Sequence, residues 1–264
     1  MPRFTRSIGI DYSGAATAAT NLTGIRVYQT NRGSDAVEIP PSPTRPGRKN
    51  WSRLDLAHWL VEILNDGPPA IIGIDHGFSF PMRYFEENRI QPDWGVFLDD
   101  FVHHWPTDDP CVYVDDIREG KTGSGSERTG ASRWRRITEG CCGAKSVFHF
   151  DVPGSVAKST HAGIPWLRHL RKKTADHVHF WPFDGWLPPE GKSVVCEIYP
   201  SLHSKHAPQE NRNVHQQDAW AAATWLRDSE ITGKLEHHFQ PEMSNAMKCD
   251  ARVEGWILGV HGCK

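Results

Sequence analysis

No apolar run in this 264-residue chain approaches the roughly 20 residues needed to span a membrane. The start, Met1-Pro2-Arg3-Phe4, leads towards a strand with no signal-type apolar segment, so a cytoplasmic protein with no membrane partner is expected. Charge of one sign is also missing. The 30 Lys and Arg residues against 32 Asp and Glu leave a net charge of −2, which excludes a general polycation and confines any nucleic-acid contact to local patches. Cysteine is sparse and unpatterned. None of the six forms a C-x-x-C, and Cys141 and Cys142 are adjacent, so reduced thiols are expected. Neither His261 with Cys263 nor His203 with His206 has a partner pair at finger-like spacing, which disfavours structural zinc. Residues 154–160 resemble a phosphate loop but lack the glycine before Lys158, so they read as a loop entering a helix. There is no tandem repeat.

What the chain does contain is one phrase spoken twice. Ile8-Gly9-Ile10-Asp11 and Ile72-Gly73-Ile74-Asp75 each run apolar residues into a carboxylate. An acid at the end of a buried strand is costly unless amides, a cation or a metal satisfy it. Residues 7–12, 23–28 and 35–39 read as three short-linked antiparallel strands. A Pro/Arg-rich loop follows at 41–49. Leu56, Leu60, Ile63 and Leu64 recur at helical spacing, predicting a helix over 52–65 that Asp66-Gly67-Pro68-Pro69 stops. The buried strand 70–74 then lies parallel to the first, reached by a helical crossover. Between 81 and 191 the pattern is irregular, with helices expected near 94–105 and 164–173 and an extra strand near 178–183. Regularity returns in a strand over 193–199 carrying Glu197, an Ala/Trp-rich helix over 216–227, and a late apolar strand over 255–260. Three strands, helix, parallel strand, insertion, strand, helix is the order of a ribonuclease H-like fold. The expectation is therefore one α/β domain over 1–264: a mixed five-stranded sheet flanked by helices, with insertion 81–191 between strands four and five.

Asp11, Asp75, Glu197 and Asp218 come from four separate elements, and oxygen ligands of this kind suit Mg²⁺ or Mn²⁺. Glu197 is the weaker candidate, because a strand side chain has two faces to choose from. His215 and Asp218, three apart on one helix, share a face, so His215 is placed to orient or deprotonate a water. The Ala run after Asp218 lets that helix pack close to the sheet. From Arg118 to Arg136 six cations face two acids, and Arg133, Trp134, Arg135 and Arg136 form a basic, aromatic-bearing stretch suited to a phosphate backbone.

The chain resembles the domain of unknown function 429 family, a group of predicted ribonuclease H-like nucleases. The resemblance spans most of the chain. It is carried by Gly9-Ile10-Asp11-Tyr12-Ser13-Gly14, Gly73-Ile74-Asp75, Arg135-Arg136-Ile137-Thr138-Glu139, Lys145-Ser146-Val147-Phe148, Gly154-Ser155-Val156, Gly163-Ile164-Pro165-Trp166-Leu167, Trp181-Pro182-Phe183-Asp184-Gly185, Glu197-Ile198-Tyr199-Pro200 and Asp218-Ala219. His215 and Asp218 also look like the last helix of resolvase-type nuclease domains, where His and Asp serve the metal site; Asp75 stands where those nucleases carry Glu. The resemblance implies a metal-dependent nuclease acting on DNA or RNA, with Asp11, Asp75, Asp218 and His215 catalytic. Two alternatives stay open from the residues: a phosphotransferase or ATPase of actin-like or sugar-kinase type, and a non-catalytic nucleic-acid-binding module. The second Ile-Gly-Ile-Asp comes too soon after the first to open another copy of an actin-like fold.

Overall fold

The computed structural model describes residues 3–41, 49–204 and 208–262. Most of the Pro/Arg-rich loop, His206 and Cys263 lie outside them. In chain order the elements are β1 (Arg6–Asp11), β2 (Arg26–Asn31), β3 (Val37–Glu38), α1 (Arg53–Asp66), β4 (Ala70–Asp75), α2 (Met82–Asn88), α3 (Trp94–His104), α4 (Val114–Arg118), α5 (Ile137–Cys142), α6 (Ala157–Thr174), β5 (Val178–Trp181), β6 (Ser193–Glu197), α7 (Val214–Ile231), α8 (Leu235–His238) and α9 (Asn245–Glu254). The strands form one sheet in the order β3-β2-β1-β4-β6-β5. β1, β2 and β3 pair antiparallel, whereas β1, β4, β6 and β5 are parallel neighbours.

The sheet has six strands rather than the expected five, because 178–181 adds a parallel edge strand beside β6. The late strand over 255–260 is reduced to a single bridge from Ile257 to Glu197. β3 keeps two residues of the expected five. Cys141 is disulfide-bonded, which corrects the expectation of reduced thiols throughout. Among the described residues no helix is long and apolar enough to cross a membrane.

Strand alternation sorts the core into two faces. Ile8, Ile10, Ile72, Ile74 and Val195 share one cluster with Leu56, Leu60 and Leu64 of α1 and Ile164, Leu167 and Leu170 of α6. Ile71, Val194 and Cys196 turn the other way, into a cluster with Ala222 and Leu226 of α7. Ser52 starts α1, its hydroxyl accepting from Asp55 N at 3.1 Å.

α7 covers β1 at unusually short range, and glycine is the reason. A β-carbon on Gly9 would lie 2.3 Å from Ala219 O, 2.5 Å from Ala223 N and 2.7 Å from Ala222 Cβ. Small residues on both sides let the helix backbone settle onto the strand, as the Ala run suggested. On the other face, α6 begins seven residues before the expected helix. Its first two turns are polar in sequence yet buried: Thr160 Oγ1 accepts from Gly77 N at 2.9 Å, and His161 Nδ1 pairs with Ala157 O at 2.8 Å. Pro165 sits inside this helix and has no N–H for the carbonyl four residues back. That carbonyl, His161 O, accepts instead from the Thr107 hydroxyl at 2.6 Å, so the buried acceptor is satisfied.

Candidate active site

Asp11 and Asp75 end adjacent parallel strands in the same register, Asp11 opposite Asp75. Alternation puts both on the face of Gly9 and Gly73, the face that α7 covers. Neighbouring strands are about 4.8 Å apart, so the two acids begin from backbones that close. α7 supplies the rest. Asn213 caps it, its side chain accepting from Gln216 N, and the next turn presents His215 and Asp218. His215 Nδ1 and Asp11 Oδ2 are 2.6 Å apart, a charge-assisted hydrogen bond. This one contact joins the last long helix to the first strand across 204 positions of sequence.

The electrostatics follow from burial and from three acids near enough to feel one another's charge. Burial pushes the Asp11 carboxyl above its ordinary range, and the His215 hydrogen bond opposes that rise. The same bond raises the His215 imidazole, with Asp11 and Asp218 adding attraction. Asp218 is pushed up to about 6, first by burial and then by Asp11. Asp75 is driven well above the usual carboxylate range, first by burial and then by repulsion from Asp11, Asp218 and Glu197. Asp11 has His215 and the Tyr12 N–H as partners.

The turn after Asp11 is fixed by a residue that sequence reading passed over. Arg53 is fully buried at the start of α1. Its Nη1 donates to Ser13 O at 3.1 Å and Ala15 O at 2.7 Å, and its Nη2 donates to Ala16 O at 3.1 Å. Ala16 is held at φ 49°, in the left-handed region that non-glycine residues rarely enter. An arginine beginning an amphipathic helix reads as a solvated charge; nothing local in the sequence says that it turns inward.

Glu197 does not join the three aspartates. It shares parity with Val195 and so leaves its strand on the α1/α6 side. There Arg136 holds both oxygens, Nη1 to Oε2 and Nη2 to Oε1, each at 2.6 Å, and Phe78 N reaches Oε2 at 3.3 Å. A carboxylate spent on a bidentate arginine has little left for a metal, which corrects its expected ligand role. Arg136 is corrected with it. It is 1% exposed and also donates from Nε to Glu139 Oε1 at 2.9 Å, so it cannot serve as a surface contact for nucleic acid. Arg133 and Arg135 are exposed. Trp134 is partly buried against Phe148, with the Arg83 guanidinium 4.9 Å from its ring centre.

A small cavity of about 20 Å³ lies beside Asp75, with Arg136, Glu139, Lys145 and Glu197 in its wall. It has room for about one water. Among the described residues no three His, Cys, Asp or Glu side chains stand together as a ready metal cage. No family model, curated protein or solved structure matches the chain. The functional reading therefore rests on the geometry.

Proposed function

We propose that the protein is a metal-dependent nuclease that hydrolyses nucleic-acid phosphodiesters at the Asp11, Asp75 and Asp218 carboxylates. One observation carries the reading: no described side chain or amide donates a hydrogen bond to Asp75 or Asp218, though each carboxyl is pushed up first by burial and then by neighbouring acids. Elsewhere in the fold a buried acid has a cationic or amide partner; Glu197 and Glu139 have Arg136, and Glu254 has two backbone N–H groups. Asp75 and Asp218 have no such partner among the described residues. An oxygen-only donor set of this charge fits a hard divalent cation such as Mg²⁺ or Mn²⁺.

When bound, such an ion polarises the phosphoryl oxygen and lowers the pKa of a coordinated water. Asp11, Asp75 and Asp218 would hold it. His215 keeps its Nδ1 on Asp11, which fixes the ring and leaves the second nitrogen to orient an attacking water or carry its proton. Arg133 and Arg135 supply exposed positive charge for the substrate backbone. A ribonuclease H-like fold is part of the same proposal; the mixed α/β sheet, with three antiparallel strands and a helical crossover from β3 to a fourth strand parallel to β1, supports it. Membership of the domain of unknown function 429 family belongs to this proposal too.

The test is cleavage of labelled single- and double-stranded DNA and RNA with Mg²⁺ or Mn²⁺. Chelator and Asp11→Asn are each expected to abolish it while the circular dichroism spectrum stays unchanged. Full cleavage by Asp11→Asn would overturn the proposal.

A further inference from the structure

The turn that follows Asp11 also forms one wall of an open cleft of about 360 Å³. Ser13 lies on that wall. Tyr113 and Asp115, at the start of α4, and Ser155, Lys158 and Ser159, around the first turn of α6, complete it. The two sides meet at Gly14, where a β-carbon would lie 2.1 Å from Lys158 O. The cleft is thus a product of the same close packing that fixes the Asp11 turn. Its size falls within the range of small-molecule pockets.

The lining has a definite chemistry. Lys158 Nζ pairs with Asp115 Oδ2 at 2.6 Å, so the wall carries one charge of each sign and no excess. A polyphosphate would find no net attraction there. Tyr113, by contrast, is an aromatic side chain left 46% exposed at the rim, where no ring contact among the described residues covers it. Ser13 Oγ accepts from Ala15 N at 3.3 Å, and Ser155 Oγ accepts from Ala157 N at 3.1 Å. Each hydroxyl thus accepts one backbone N–H and keeps its O–H free to donate. Ser159 is the reverse: its O–H is given to Val156 O at 2.9 Å, leaving the oxygen to accept. A flat face, free hydroxyl donors, a free acceptor and one charge of each sign match a nucleoside, with acceptors and donors on its base and hydroxyls on its sugar.

We infer that this cleft takes one unstacked nucleotide of the substrate strand. Its base lies on Tyr113, and Ser13 and Ser155 donate to it. The inference rests on the nuclease reading and deepens it. The Asp11 turn joins the strand that carries the acid to this cleft, and a base can enter the cleft only when it is out of a duplex stack. The substrate is accordingly single-stranded.

The experiment is fluorescence anisotropy of a labelled single-stranded decanucleotide, in chelator, with Asp11→Asn as the parent so that neither metal nor cleavage intervenes. Tyr113→Ala should weaken binding about tenfold, the loss expected for one stacked base, and Tyr113→Phe should not. A duplex of equal length should compete poorly. Unchanged affinity in Tyr113→Ala, or equal competition by duplex, would overturn the cleft even if the wild-type protein cleaves DNA or RNA. Tyr113-dependent binding with no cleavage under any divalent metal would instead remove the nuclease reading and leave the cleft.

Discussion

Gly9→Ala tests the dependence of the site on close packing. The added β-carbon would stand 2.3 Å from Ala219 O and 2.5 Å from Ala223 N, both backbone atoms that no rotamer change can move. Ordinary contact is about 3.5 Å, so α7 has to recede by roughly 1 Å. Overpacking of this kind costs about 1–3 kcal/mol. Asp218 and His215 ride on the helix that moves, whereas Asp11 stays on the strand. The 2.6 Å bond between His215 Nδ1 and Asp11 Oδ2 should lengthen and weaken. Two measurements follow that need no activity. Urea unfolding should show the stability loss. NMR titration should show the His215 pKa falling back from its raised value towards the ordinary imidazole value of about 6.5. Gly140→Ala is the control, since a β-carbon there meets nothing within 4 Å and the position is helical. Wild-type stability together with an unchanged His215 titration in Gly9→Ala would refute the reasoning.

Three further outcomes are expected. In chelator, stability should fall as pH rises from about 4 to 7. Asp218 holds its proton up to about 6 in the folded chain but releases it near 4 when unfolded, so ionisation opposes the fold across that interval. The raised His215 acts in the same direction, its contribution being complete below about 6.5 and lost as pH climbs through its folded value. Asp218→Asn should flatten the dependence of the urea midpoint on pH, and Mn²⁺ should restore stability at pH 7; a slope of opposite sign would contradict the assignment. Arg136→Met should cost about 3–5 kcal/mol, because Glu197 and Glu139 lose their buried counter-charge, and Glu197→Gln added to it should recover part of that loss. Arg133→Ala combined with Arg135→Ala should leave stability within about 0.5 kcal/mol of wild type and weaken nucleic-acid binding most at low salt; unchanged binding would make these arginines bystanders.

The parts of the molecule that local periodicity writes were legible. Apolar runs ending in Asp located β1 and β4, their helical crossover implied parallel pairing, and the register then set Asp11 opposite Asp75. The spacing of Leu56, Leu60 and Leu64 gave α1, and the position of Asp218 in an Ala-rich helix pointed to the sheet. What stayed hidden depends on distant partners. Residues 157–163 look like solvent-facing loop because their burial is satisfied by Gly77 and Thr107, far off in sequence. Arg136 and Arg53 look like surface charge because their acceptors lie 61 and 37–40 positions away. Alternation did contain the fate of Glu197, since its parity with Val195 turns it from the aspartates. The composition of the basic stretch obscured that, because one of its arginines was reserved for this carboxylate.

The clasp between Arg136 and Glu197 has a bearing on how the gene product can be divided. The stretch between β4 and β6 supplies a guanidinium that the central sheet needs in its interior. Splicing out residues 81–191 would leave β6 with a stranded anion, so this stretch is no detachable accessory. During synthesis the cation emerges first and its anion 61 residues later, so the clasp closes only after β6 has been made.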